Sequence, residues 1–149
     1  MDVIDRYLDE VQQRIRHLSG GEARAAIGAA ARACADSIAG DGLAFAFGTG
    51  HGSFAALEMF PRTGTCSGFR PIVESAISTF HHVLGDQGAS QYRFLHTREG
   101  YGNAILRSHR LRAGDTMVLF SHSGINPVIL DIAVECKERG LTVVGVTSI

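Results

Sequence analysis

The sequence predicts an α/β fold, a parallel sheet covered by helices on both faces and preceded by two helices. Three observations carry this. Short apolar segments alternate with helical patterns after residue 40. Those segments are apolar at consecutive positions, as strands buried on both faces require. Two of them run directly into Gly/Ser-rich loops that open helices, Gly48-Thr49-Gly50-His51-Gly52-Ser53 and Ser121-His122-Ser123-Gly124-Ile125-Asn126.

The elements follow in order. Ile4, Tyr7, Leu8, Val11, Ile15 and Leu18 recur at three- and four-residue steps, predicting an amphipathic helix that stops near Gly20-Gly21. A second, Ala-rich helix puts Ile27, Ala31, Cys34 and Ile38 on one face and ends at Gly40-Asp41-Gly42. Strand one is expected over Leu43–Phe47, and its helix runs from about Ser53 until Pro61 ends it. Strand two is expected over Phe69–Val73, followed by a helical stretch from Ser75 to about Leu84. Gly85 to Gly102, rich in Gly, Gln and Ser, reads as an exposed loop with broken helix, and Ala104–Leu111 as helix. Strand three is Thr116–Phe120, the next helix Pro127–Arg139 with Gly140 as its stop, and strand four Leu141–Val146. The chain then ends at Thr147-Ser148-Ile149 without a covering helix, so a longer domain with a further strand is expected. The organisation reads as one domain over 1–149, a helical preamble over 1–40 and an αβ core over 41–149.

Composition narrows the partners. With 149 residues and 45% hydrophobic content the chain can bury a core. A net charge of −1 gives no electrostatic footprint for nucleic acid or an anionic membrane. The three cysteines, Cys34, Cys66 and Cys136, form no CxxC pair, which fits a reducing cytoplasm better than a disulfide framework. No signal peptide or transmembrane segment is read. No H-x-x-x-H or Cys/His spacing appears among the seven histidines, so neither metal nor cofactor is expected.

The loops carry the chemistry. A hydroxyl-rich loop at a helix N-terminus offers N–H groups and hydroxyls to an anion. In the first loop Gly50 and Gly52 permit close backbone approach while Ser53 offers a hydroxyl or merely a helix cap. As a dinucleotide fingerprint this loop is poor, because Ser53 stands at the third glycine position, although Glu74 sits where a ribose ligand would be expected. In the second loop Ser121, Ser123, Gly124 and Asn126 exceed what capping needs. A strand order of 2-1-3-4 would make strands one and three neighbours and put both loops at the topological switch point.

Taken together, the two loops and the closing Gly145-Val146-Thr147-Ser148 resemble the sugar isomerase (SIS) domain, in particular its uncharacterised phosphosugar-binding branch. Glu58, Arg62 and Gly64, His81 and Glu99-Gly100-Tyr101 extend the likeness, which covers about Asp2 to Ile149. It implies a flavodoxin-like five-stranded sheet whose fifth strand is missing here, a homodimer or higher oligomer, and a bound phosphosugar. Phosphate-binding residues are then expected at Gly50, Gly52, Ser53, Ser121, Ser123, Gly124 and Asn126, with further ligand contacts from His51, His122, Thr147 and Ser148.

Isomerisation of a phosphosugar needs a base beside a carbonyl and a proton shuttle. Glu58 matches the position of a carboxylate base in some family isomerases and is equally an (i, i+4) partner of Arg62. His81 is the second catalytic candidate, and of His81 and His82 at most one faces a shared site. His17, His96 and His109 are expected on the surface. Two function classes stay open, an enzyme acting on a phosphosugar and a non-catalytic phosphosugar-binding module. A dinucleotide-binding protein is the weaker third.

Overall fold

A computed structural model describes residues 2–83 and 85–148, without the side chains of His82 and Val83; the expected helix end at Leu84 and the terminal Ile149 lie outside the described residues. The chain divides into two compact units, one ending at Ala33 and the next beginning at Cys34.

In the first unit, α1 (Val3–Leu18) opens on a capping box in which Asp2 and Asp5 satisfy each other's end of the first turn. None of its residues is buried, and its apolar stripe of Val3, Ile4, Tyr7, Leu8, Val11, Ile15 and Leu18 is exposed. The second helix, α2 (Gly21–Ala39), begins in this unit and ends in the next.

The second unit is built on four parallel strands, β1 (Ala44–Gly48), β2 (Phe69–Pro71), β3 (Thr116–Phe120) and β4 (Thr142–Val146), in the order β2-β1-β3-β4. Helices α3 (Gly52–Glu58), α4 (Ser75–Ser78), α5 (Phe80–Val83), α6 (Asp86–Leu95), α7 (Tyr101–Leu106) and α8 (Pro127–Glu138) connect them. The order places β1 and β3 side by side over their whole length, Ala44 opposite Thr116 through Gly48 opposite Phe120. Both Gly/Ser-rich loops therefore leave the same end of the sheet from adjacent strands.

The Ala-Phe-Ala-Phe of β1 explains the two layers. Alternate residues face opposite sides of a strand, so Phe45 and Phe47 enter the main core with Met117, Leu119, Leu106, Ile129 and Ile132. Ala44 joins Cys34 and Val118 in a smaller cluster on the other face, packed by Ile38, Phe69 and Phe120. Ser37 stitches the end of α2 to the sheet, its hydroxyl 2.7 Å from both the Gly114 carbonyl and Thr116 Oγ1. At the foot of the sheet the buried Asp115 carboxylate accepts from Leu43 N at 2.8 Å and Arg112 N at 2.7 Å.

The structure corrects three expectations. Only β1 and β3 are buried on both faces; β2 and β4 flank them and are partly exposed along their length. The region expected as a loop contains the ten-residue α6, and Gly88 is buried within it. The helical stretch after β2 is split at Thr79 into α4 and α5.

Candidate functional site

The site begins with the way loop one turns. Thr49 is buried at the end of β1, and Gly50 takes a left-handed conformation at φ 56°. The Gly50 amide donates to the Ile77 carbonyl at 3.3 Å, and His51 stands at the N-cap of α3 without a side-chain capping bond. Side chains are excluded at both flanking glycines. A Cβ on Gly52 would lie 2.5 Å from the Phe120 carbonyl oxygen, and one on Gly50 would lie 2.7 Å from the Tyr92 hydroxyl. Loop one is thus pressed against the end of β3 on one side and against α6 on the other.

Ser53 has a different place from the expected one. Its side chain is fully buried and its hydroxyl donates toward the Gly50 carbonyl at 2.6 Å and the Ser78 carbonyl at 2.7 Å. It braces the loop from beneath instead of presenting a hydroxyl to a ligand.

Loop two is braced in a similar way. Ser121 is buried and accepts through Oγ from Gly124 N at 3.0 Å, which closes a turn at Gly124 with φ 72°. A hydroxyl that accepts there still has its proton to give. Asn126 caps α8, its Oδ1 accepting from Val128 N at 3.1 Å, with Pro127 in the first turn where no N–H is required. Its Nδ2 reaches Thr49 Oγ1 at 3.4 Å, a contact that joins the two loops. His122 and Ser123 are exposed, and Ser148 N donates to the His122 carbonyl at 3.1 Å, tying the end of β4 to loop two.

Between the loops lies a cleft of about 200 Å³. Loop one contributes Thr49, His51 and Gly52, loop two contributes Ser121, His122, Ser123 and Asn126, and α6 contributes Tyr92 and His96. These nine residues include three imidazoles and neither a carboxylate nor a lysine or arginine. A second cleft of about 240 Å³ adjoins it and shares His51 and Tyr92, with Gly50, Phe54, Phe80 and His81 as its other walls. Here the rings form a chain. Phe80 stacks on Tyr92 at 4.6 Å, Tyr92 stacks on His96 at 4.5 Å, and His81 meets Phe54 and Phe80 edge-on at 5.3 and 5.1 Å.

The remaining expected residues stand apart from the polar cleft. Glu58 is exposed and paired with Arg62 at 2.6 Å, and it lines neither cleft. His81 opens onto the aromatic cleft only. Thr147 and Ser148 are exposed beside loop two, where the Thr147 methyl leaves 3.3 Å to a Cβ on Gly124. The side chain of His82 lies outside the described residues. Glu74 stands at the N-cap of α4, and its carboxylate is hydrogen-bonded by Tyr101, whose phenol is pushed up by burial first and by that carboxylate second. His96, expected on the surface, is half-buried in the cleft wall; no spacing motif marks it, because its place depends on the whole of α6. His109 is also half-buried, and burial lowers its pKa. Among the described residues no group of three His, Cys, Asp or Glu side chains is arranged to hold a metal ion, and no helix is long and apolar enough to cross a membrane.

This arrangement of paired loops can be compared with known proteins. The SIS domain pattern matches residues 6–148. The chain belongs to the SIS domain family. A UPF0309 protein of Shouchella clausii is 28% identical over 149 residues, covering 100% of this chain and 58% of its own length. A UPF0309 protein of Streptomyces coelicolor is 32% identical over 144 residues, covering 97% and 55%. The chain thus spans somewhat more than half the length of these relatives. Among solved structures, phosphoheptose isomerase GmhA from Neisseria gonorrhoeae matches with a TM-score of 0.65 at 19% identity, over 98% of this chain and 76% of that one. A phosphoheptose isomerase from Francisella tularensis matches with a TM-score of 0.66 at 16% identity, over 99% and 76%. The shared feature is the fold of this SIS domain.

Proposed function

We propose that this SIS domain binds a phosphorylated sugar, with the phosphate in the polar cleft between the two loops and the sugar toward the aromatic cleft. One observation carries the reading. Loops from the two adjacent central strands wall a single small cleft with hydroxyls, an amide and imidazoles, and no carboxylate stands among its lining residues to repel an anion. Its volume of about 200 Å³ suits a small polar group, and with the neighbouring aromatic cleft it reaches the range of small-molecule sites, roughly 300–1,000 Å³. The candidate ligand residues are Thr49, Ser121, Ser123 and Asn126, with Gly50, Gly52 and Gly124 shaping the loops around them, and His51 and His122 at the mouth. Thr147 and Ser148 are candidates for the sugar's far end.

Thermal-shift measurements test this directly. Glucose 6-phosphate is expected to raise the melting temperature and glucose is not. Equal shifts from both, or a shift from NAD alone, would remove the reading and, in the second case, favour a dinucleotide.

Binding is the first reading for this chain and isomerisation the second. The exposed Glu58–Arg62 pair, outside both clefts, favours that order. The isomerase reading draws on the resemblance to phosphoheptose isomerases, with Glu58 as base and His81 as proton shuttle. It requires that Glu58→Gln abolish deuterium exchange into a bound phosphosugar while sparing its binding. Exchange at the wild-type rate in that variant would return Glu58 to its place as the partner of Arg62.

A further inference from the structure

The polar cleft has an unusual charge inventory for a phosphate site. Its titratable lining groups are His51 from loop one, His122 from loop two, and Tyr92 and His96 from α6. His81 borders the adjoining cleft, and neither cleft has Asp, Glu, Lys or Arg among its lining residues. Among the described lining residues, positive charge placed directly against a bound anion comes from an imidazole.

Of the three imidazoles, His96 is the one the structure holds still. It caps the C-terminus of α6, the end at which a helix dipole favours positive charge. Its ring lies flat on Tyr92, 4.5 Å between centroids and 6° between planes, and Tyr92 in turn lies on Phe80. Its Nδ1 sits 2.8 Å from the Tyr92 carbonyl oxygen, which can only accept. Nδ1 therefore carries the proton, in the neutral ring as in the charged one, and Nε2 is the nitrogen that gains or loses it. Histidine is the side chain that changes charge between pH 5 and 8. His51 and His122, by contrast, are exposed loop residues, and the His51 ring meets Phe54 only at a tilt, 6.2 Å between centroids.

We infer that this cleft binds its anion together with a proton, and that His96 Nε2 takes up that proton, so that affinity for a phosphate monoester is set by pH through one imidazolium instead of a fixed lysine or arginine. This rests on the anion reading of the cleft and adds its regulation. No bond within the ligand is made or broken. The imidazole gains a proton from solvent, and the resulting N–H donates to an anion oxygen. Acid conditions tighten binding until the ligand's own second ionisation, with a pKa near 6, removes its second charge. For a phosphate ester the ligand's own protonation therefore works against the gain at acid pH, whereas for a permanent dianion it does not.

Calorimetric titration of the 149-residue chain with inorganic sulfate and with glucose 6-phosphate, from pH 5.5 to 8, tests this. Sulfate does not titrate in that range, so its pH dependence reports the protein alone. Its affinity is expected to rise on acidification by at most tenfold per pH unit, and repeating the titration at pH 8 in buffers of different ionisation enthalpy should show net uptake of a proton, up to one per anion. His96→Asn keeps an amide N–H for the Tyr92 carbonyl and lacks Nε2. It should remove that proton and lower sulfate affinity about tenfold at pH 6, in a chain that still unfolds cooperatively even though the stack on Tyr92 is lost. A flat sulfate affinity across the range in the wild type, which needs no variant, overturns the proposal. So does a proton count retained in His96→Asn and lost in His51→Gln or His122→Gln. A proton-linked sulfate isotherm with no binding of glucose 6-phosphate would support the imidazole site and end the phosphosugar reading, so the two fail separately.

Discussion

Gly52 is the position where loop one and the end of β3 come closest, and its substitution by alanine isolates that contact. A Cβ there would stand 2.5 Å from the Phe120 carbonyl oxygen and 3.1 Å from its carbon. Ordinary contact begins at 3.4 Å, so the chain must yield by nearly an ångström. The obstacle is backbone, not a side chain that can swing aside. Phe120 is the last residue of a central strand, opposite Gly48 in the ladder, and cannot move without disturbing β1. Overpacking of this kind costs about 1–3 kcal/mol. For a chain of this length that corresponds to a fall in melting temperature of roughly 2–12 °C. The distance that opens is the one between the two loops, so anion affinity should fall with stability. Gly145→Ala is the matched control, because a Cβ there meets nothing within 4 Å. It should change stability by less than about 0.5 kcal/mol and leave binding intact. The measurements are thermal melts and sulfate calorimetry on both variants. If Gly52→Ala melts and binds like Gly145→Ala, the loops are not held together at this point and the account of the cleft is wrong.

Ser53→Ala should lower stability by about 1–3 kcal/mol in chemical unfolding, because it takes the buried hydroxyl away from the Ser78 carbonyl and leaves the Gly50 carbonyl with the Ser53 amide alone. Asp115→Ala removes acceptors for the Leu43 and Arg112 amides at the opposite end of the sheet, so it should destabilise by a few kcal/mol in the same measurement and leave the Kd for sulfate unchanged in the folded protein. Cys66 is exposed and should react with a thiol reagent at pH 8, while Cys136, fully buried and pushed up to about 11 by that burial, should stay protonated and unreactive until the chain unfolds. The exposed apolar stripe of α1 supports the expected homo-oligomer; sedimentation should show a species larger than one chain, and Leu8→Glu with Val11→Glu should shift it toward monomer.

How far the sequence could be read depended on whether local pattern or distant packing decided an element. The consecutive apolar residues of β3 gave its limits, Thr116–Phe120, because a central strand is apolar whatever covers it. The loop chemistry was equally local, since Asn126-Pro127 announces a helix start by capping rules alone. The edges were less legible. β2 stops at Pro71, which has no N–H for a ladder, and its neighbour Ile72 makes the last amide bond to Ala46, at 2.8 Å. The missed element was α6, and with it one wall of the site. Gly85, Gly88 and Ser90 read as loop punctuation. In the structure Gly85 enters α6 with a positive φ of 59°, and Gly88 is buried inside that helix. A glycine that breaks a helix and a glycine buried within one are the same letter, and only the neighbours distinguish them.

The hydrogen bonds within the loops also change what the Ser/Gly signature means. From sequence the serines read as ligand hydroxyls, but Ser53 is consumed by two carbonyls beneath loop one and Ser121 accepts an amide within loop two. Asn126 divides its side chain between capping α8 and reaching Thr49. These polar atoms fix the shapes of two loops that would otherwise be floppy, and a loop already held in its binding shape loses less entropy when a ligand arrives. The groups left lining the cleft for the proposed anion are fewer and of another kind, the Ser123 and Thr49 hydroxyls, the Ser121 proton and the imidazoles. On the proposed reading, a site with so little fixed positive charge would hold its anion by geometry and by protons that solvent supplies, and such an anion would leave again when the pH rises.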